Sequence, residues 1–233
     1  MTVKTRVTMA LAGLLVASMP ALAQGGRYYP ERAGAFRLHL GAVQLEGDSE
    51  YWDEKERDFT GSIDDFEDFS FGASYLLPLN RHLSLDFSGS VFEGDSTNAY
   101  RDFEDNFGDS IRHDTTLGIA SATLGLMVHF TGPDTAIQPY VGLGGGAYFW
   151  TLTEEGDFID RDLDIFFAEL ESDGVAFGWY GLAGLEVPIT PHFALFGEGR
   201  WTQADDELEG DFEGFGDLDL SNLEFAVGFS WSL

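Results

Sequence analysis

The last eleven residues of the chain alternate without a break. Leu223, Phe225, Val227, Phe229, Trp231 and Leu233 fall on one face; Glu224, Ala226, Gly228, Ser230 and Ser232 fall on the other. Successive Cβ atoms of a strand point to opposite faces of a sheet, so period two is a strand signal. The pattern recurs in about eight short segments from Ala35 onward. Its apolar face is large and aromatic, and its other face is small, polar or charged. A water-soluble sheet would bury the greasy face in a core. A membrane barrel shows that face to lipid and keeps the polar one for a narrow lumen.

The first 23 residues separate these possibilities. Lys4 and Arg6 form a basic start, Val7 to Ala17 is mostly apolar, and Ala21-Leu22-Ala23 has the form of a cleavage site. This is the layout of a secretory signal peptide rather than a membrane-spanning helix. The expected organisation is a signal peptide over 1–23, a short periplasmic segment over 24–34, and one barrel domain over 35–233. The chain has no cysteine, so neither a lipoprotein anchor nor a disulfide framework is available. After residue 23 no apolar run approaches the roughly 18 to 20 residues a spanning helix needs. Export through the Sec pathway to the outer membrane of a Gram-negative bacterium is the expected route.

Charge supplies the second constraint. Loss of Lys4 and Arg6 with the leader takes the formal net charge from −29 to −31. Of the 41 acidic residues, 35 lie in four tracts, Glu46–Asp68, Glu93–Thr115, Thr151–Gly174 and Thr202–Asp219. Lys55, Arg57, Arg101, Arg112 and Arg161 oppose them. Phosphates would be repelled, so nucleic acid is not an expected partner. The connections between the tracts, Pro78–His82, Thr131–Gln138 and Pro188–His192, are short and nearly uncharged. Strict alternation of long and short connections is what a transmembrane barrel shows, with long loops outside and short turns on the periplasmic side. The expected fold is all-β: an eight-stranded antiparallel transmembrane β-barrel with long acidic extracellular loops.

The strands read Ala35–Leu45, Phe69–Leu77, Leu83–Phe92, Thr116–Phe130, Pro139–Trp150, Ala176–Val187, Phe193–Trp201 and Ser221–Leu233. Each has about the nine to eleven residues a tilted strand needs to cross a bilayer. Around Leu117 and Ile119 neither phase fits, which suggests a bulge. The glycine-rich fifth strand has no assignable phase. Tyr148, Trp150, Trp179 and Trp201 near one edge, with Phe130, Tyr140, Phe193 and Trp231 near the other, are expected to form the two aromatic girdles.

Three stretches give the chain a family likeness. They are Pro139-Tyr140-Val141-Gly142-Leu143-Gly144-Gly145-Gly146, then Gly181-Leu182-Ala183-Gly184-Leu185-Glu186 followed by Ala194-Leu195-Phe196-Gly197-Glu198-Gly199-Arg200-Trp201, and the C-terminal alternation. Together the chain resembles the small eight-stranded outer-membrane barrels of the OmpA-type and opacity-protein-like group. The resemblance implies structural barrels, adhesins or narrow pores, and a C-terminal strand read by the outer-membrane assembly machinery. The family usually ends in Phe, whereas this chain ends Trp231-Ser232-Leu233. No peptidoglycan-binding domain follows the barrel, so the tether of longer OmpA proteins is not expected.

Chemistry is expected inside. The inward positions Arg37, His39, Asp86, Glu186, Glu198, Arg200 and Glu224 form a charge network, since charges in a narrow lumen must pair or stay hydrated. Arg37, Asp86 and Glu186 lie toward the short-turn end, and Glu198, Arg200 and Glu224 lie higher. Glu198 and Glu224 are the expected partners of Arg200. No catalytic set is expected: among His39, His82, His113, His129 and His192, only His82 shares a face with a serine, Ser84, and it sits at a short turn. Asp160, Asp162, Asp164 and Glu171 have the spacing of an EF-hand loop, but Ile165 replaces the glycine of its sharp turn. No cofactor is expected beyond weak Ca2+ or Mg2+ at the loops, bridging them to lipopolysaccharide phosphate. The loops also repeat Phe beside Asp, at Phe66, Phe103, Phe158 and Phe212, expected to be local packing, with a binding surface as the alternative. The function expected is a monomeric barrel with a structural or surface-interaction role, its lumen plugged by charged pairs, in contact with outer-membrane lipids and lipopolysaccharide. A narrow pore for small solutes is the alternative, and a lipid-modifying enzyme the second alternative.

Overall fold

The computed structural model describes residues 34–104, 107–132, 135–159 and 164–233. The segment read as a signal peptide, residues 24–33, Asp160 and Asp162 lie outside the described residues. In chain order the elements are β1 (Ala35–Leu45), α1 (Glu50–Asp58), β2 (Asp68–Pro78), β3 (Leu83–Glu104), β4 (Ser110–His129), β5 (Gln138–Ile159), β6 (Ile165–Thr190), β7 (Phe193–Gln203), β8 (Asp205–Glu207), β9 (Asp217–Asp219) and β10 (Asn222–Ser232). Eight of the strands form one antiparallel sheet in the order β1-β10-β7-β6-β5-β4-β3-β2, with β10 paired back onto β1 from Ala35↔Ser232 to Leu45↔Asn222. The remaining two strands, β8 and β9, form a separate two-stranded sheet.

The closed sheet carries an apolar band on its outer surface. Leu40, Phe71, Leu143, Phe177, Leu195 and Val227 all point outward, with Phe177 81% exposed. At one margin of the band Trp179 and Trp201 pack edge to face at 4.9 Å. Trp201 Nε1 donates to Glu46 Oε1 at 2.8 Å. An aromatic body with a polar tip suits such a margin. Tyr140, Tyr148 and Trp150, expected in girdles, instead face inward and are buried.

Strands β3 to β6 are 20 to 26 residues long, against the 10 to 15 that the alternation gives. Their far halves continue the sheet beyond the band, on the side of the long loops. There the two faces exchange character. In β4, Leu124, Leu126 and Val128 face out within the band, while Leu117 and Ile119 beyond it face in and are buried. The register runs unbroken through both residues, so no bulge occurs there. The β3–β4 irregularity lies farther up, between Ala99 and Glu104. The phase of β5 is also clear: Tyr140, Tyr148 and Trp150 face in, and Val141, Leu143 and Phe149 face out. Its glycines sit where neighbours fill the interior, as Gly184 of β6 does against Tyr140, whose ring occupies the place of a Cβ.

The long-loop end is closed by folded chain. Helix α1 turns Tyr51, Trp52 and Lys55 toward the barrel, spacing that puts them on one stripe. Trp52 meets Phe66 at 5.3 Å, and Tyr51 meets Phe212 at 6.1 Å. Residues 204–220 supply Leu208, Phe212, Leu218 and Leu220 to the same cluster, which continues down to Trp150, Leu152, Leu117 and Ile119. The mouth at the long-loop end is thus filled by an apolar core of the kind a soluble protein has, assembled inside the barrel.

Candidate functional site

Two buried polar clusters are candidates, one in the lumen at the level of the band and one under the cap. In the lumen, Arg37 Nη1 lies 3.4 Å from Glu198 Oε2. Its Nη2 donates to Tyr140 Oη at 2.6 Å, and that hydroxyl donates to the same Glu198 oxygen at 3.0 Å. The Arg37 guanidinium also stacks 3.5 Å above the Phe196 ring. Arg200 Nη2 stands 3.5 Å from Glu198 Oε1 and 3.9 Å from Asp86 Oδ2. Tyr180 Oη donates to Asp86 at 3.3 Å. Glu198 therefore joins the two arginines, and Asp86 closes the network from the opposite wall.

The placement differs from the sequence reading in two respects. Arg37 stands opposite Ser230, which stands opposite Ala194, four residues before Glu198. The strand stagger of a tilted barrel and the length of the arginine side chain join levels that counting from the turns holds apart. Arg200 reaches Asp86 across the lumen. Glu224, its register partner, accepts a hydrogen bond from Ser70 Oγ and lies 3.8 Å from His39 Nε2. Glu186 is buried within electrostatic reach of Arg37.

The second cluster has no counterpart in the sequence reading. Lys55 Nζ, carried into the mouth by α1, lies 2.7 Å from Glu154 Oε1 of β5. It also lies 2.9 Å from His113 Nε2 and donates to Thr115 Oγ1 at 3.0 Å. Tyr51 Oη donates to Glu154 at 2.6 Å. These groups sit beyond the apolar band, where the outward neighbours are carboxylates. Burial lowers the Lys55 pKa, against the pull of Glu154. Burial first, then Lys55, brings His113 down to about 4. Burial and Glu154 push Tyr51 well up. At neutral pH the cluster is a lysine–glutamate pair with a neutral imidazole accepting from the ammonium. It latches α1 to the barrel wall. The only sequence signal for it was a lysine in an acidic tract, four residues after an aromatic.

Between the clusters, Ser88 with Thr123 and Ser90 with Ser121 form hydroxyl pairs at 2.7 and 2.8 Å. A cavity of about 30 Å³ borders this layer, lined by Val43, Ser70, Tyr148, Arg200 and Glu224. That is room for about one water molecule.

Of the EF-hand set, Asp164 precedes β6 and Glu171 lies within it, paired to Thr153. Among the described residues no group of three or more metal-capable side chains converges. His82 is exposed, its Nδ1 2.9 Å from the His129 carbonyl oxygen, while Ser84 is buried inside the barrel. Of the Asp-Phe repeats, Phe66, Phe158 and Phe212 are buried and Phe103 is exposed.

The chain matches the family model described as outer membrane protein beta-barrel domain over residues 9–232. No curated protein matches it. Among solved structures it is similar to the outer membrane protein OprG of Pseudomonas aeruginosa, with 16% identity, a TM-score of 0.50, and coverage of 87% of this chain and 97% of that one. A major outer membrane protein of Thermus thermophilus gives 10% identity, TM-score 0.49 and coverage of 86% and 100%. Neisserial surface protein A gives 12%, 0.48, and 86% and 97%.

Proposed function

The chain belongs to the outer membrane protein beta-barrel domain family, and on that premise we propose that it is a plugged, non-enzymatic surface barrel. The observation that carries this reading is the filled interior. Charged pairs occupy the lumen at band level, hydroxyl pairs and a cavity of about 30 Å³ lie above them, and an apolar core closes the mouth. In this reading such a stack leaves a hydrated ion no continuous path. The role then lies in what the strand extensions and loops present. In this reading the four acidic tracts face the medium, residues 1–23 are a leader for Sec export in a Gram-negative cell, and residues 24–34 lie in the periplasm. The C-terminal strand is the segment that the assembly machinery reads, and the barrel acts as a monomer.

The outward faces beyond the band are strongly acidic and adjoin the phosphate-rich surface of the outer leaflet. Divalent cations, weakly and diffusely bound, bridge the two in this proposal. Two measurements test the reading. Planar-bilayer recording of the refolded protein should show no steady conductance, and discrete steady openings would establish the pore alternative instead. An epitope inserted at Gly214, which meets no atom within 4 Å, should be reachable on intact cells, and one at Gly132 should not. Labelling of the Gly132 insert would invert the topology.

A further inference from the structure

The outward face of β3 to β6, beyond the band, holds a groove that the plug does not use. Thr97, Asp114, Glu155 and Glu169 stand in one cross-strand row. Arg112 and Phe167 stand on the next row away from the band. Between the rows lies a groove of about 380 Å³, lined by Thr97, Arg112, His113, Asp114, Glu155, Gly156 and Phe167. The groove is open to one side, and its volume is near the lower end of that of small-ligand pockets. The floor is bare backbone. Gly156 has φ +152°, and a Cβ there would stand 2.6 Å from the Arg112 carbonyl oxygen and the His113 Cα, so no side chain fits. Phe167 forms one wall with 66% of its surface open. Thr97 Oγ1 donates to Asp114 Oδ1 at 2.7 Å and holds that carboxylate in place.

The lining selects a ligand chemistry. Asp114 and Glu155 accept hydrogen bonds, Arg112 donates them, and Phe167 offers a flat apolar face. An anion would meet a row of three carboxylates on a chain of net charge −29. A cation would be drawn to the carboxylates, as on the acidic faces around the groove, but inside it would meet Arg112 as well. A neutral molecule with many hydroxyls and one C–H face satisfies every wall: its hydroxyls donate to the carboxylates and accept from the guanidinium, and its C–H face stacks on the ring. We infer that this groove binds a neutral, unphosphorylated saccharide. The inference rests on the surface-barrel reading, because that reading turns this face sideways into the sugar layer of the surrounding leaflet. The same chemistry would serve a glycan free in the medium. Like charges directly opposed across strands are destabilising, and ligand hydroxyls inserted between Asp114 and Glu155 would relieve that repulsion.

The test uses the whole chain, refolded in a detergent without a sugar headgroup. Saturation-transfer NMR is run with maltotriose, lactose and a dephosphorylated core oligosaccharide of lipopolysaccharide, beside the phosphorylated core and spermidine. Transfer to sugar C–H protons is expected for neutral probes, with at least tenfold weaker binding in Phe167→Ala and in Glu155→Gln. Preference for the dephosphorylated core marks the leaflet as the source, and preference for the free sugars marks the medium. Both variants are at exposed positions and should keep the wild-type gel shift on heating. No transfer to any neutral probe by a protein that shows that shift overturns the inference alone. So does undiminished transfer in Phe167→Ala, or tighter binding of spermidine or the phosphorylated core. Loss of the gel shift in the wild type overturns the barrel reading, and the inference with it.

Discussion

Acidification should loosen the cap before it unfolds the barrel. The His113 side chain is fully buried, with Nε2 2.9 Å from Lys55 Nζ. Burial and Lys55 hold its pKa at about 4, against 6.5 for a free imidazole, with Glu154 and Asp114 pulling the other way. Phe59, Tyr100 and Phe158 complete its surroundings. When α1 lifts away, the imidazole regains its ordinary affinity for protons. The open state therefore binds more protons between pH 4 and 6.5, so closure is fully stable above about 6.5 and weakens as pH falls toward 4. At about 1.4 kcal/mol per unit the ceiling is about 3 kcal/mol, and about 2 kcal/mol of it is lost by pH 5. That corresponds to roughly a 30-fold rise in opening. Hydrogen exchange read by mass spectrometry on peptides covering α1, at pH 7.5 and 5 and corrected for intrinsic rates, measures it. Protection of α1 should fall about 30-fold, while protection of β1, β7 and β10 holds. His113→Gln keeps an acceptor for Lys55 and should flatten the profile. The reasoning fails if that variant shows the wild-type profile, or if α1 and the barrel strands lose protection together.

Three further outcomes are expected. Arg200→Met leaves Asp86 without its ion-pair partner and Glu198 with Arg37 alone, a loss of about 3–5 kcal/mol for a buried pair; the temperature at which the folded gel band disappears should drop, and an unchanged temperature would mean a hydrated lumen. Gly184→Val drives a side chain into Tyr140, whereas a Cβ at Gly181 meets nothing within 4 Å; refolding yield should collapse for Gly184→Val and hold for Gly181→Val. Millimolar calcium or magnesium should slow proteolysis of the acidic loops more than sodium at equal ionic strength, and calorimetry showing one tight calcium site would defeat the diffuse-bridge reading.

The band-level halves of the strands were legible in the sequence, because one face meets an apolar surrounding along the whole span and the other meets a narrow interior. Leu223 to Leu233 show it most clearly. The far halves of β3 to β6 were not legible. There the inner face became apolar and the outer face acidic, so the alternation changed phase instead of ending, and Leu117 and Ile119 looked like a defect. Tyr140, Tyr148 and Trp150 were misplaced for a related reason. Aromatic residues near strand ends suit a lipid margin and a packed interior equally well, and glycine-rich β5 has too few large side chains to tell the faces apart.

Within the candidate site, the inward charges Arg37, Asp86, Glu186, Glu198, Arg200 and Glu224 followed from parity alone, since a two-residue period assigns each side chain to a face. Which carboxylate each arginine reaches did not, because strand stagger sets the level of every residue relative to its neighbours across the lumen. The latch of Lys55, His113, Glu154 and Tyr51 joins residues up to 103 apart in the chain, from a helix and two strands, with no local pattern linking them. Sequence by itself determined strand parity, strand order along the chain, the sorting of long and short connections, and the charge of the loops, all of which are local or additive properties. Tertiary structure alone decided the closed register, the arginine partners, the folded cap and the groove beneath Phe167, because each depends on distances between segments that no local periodicity encodes.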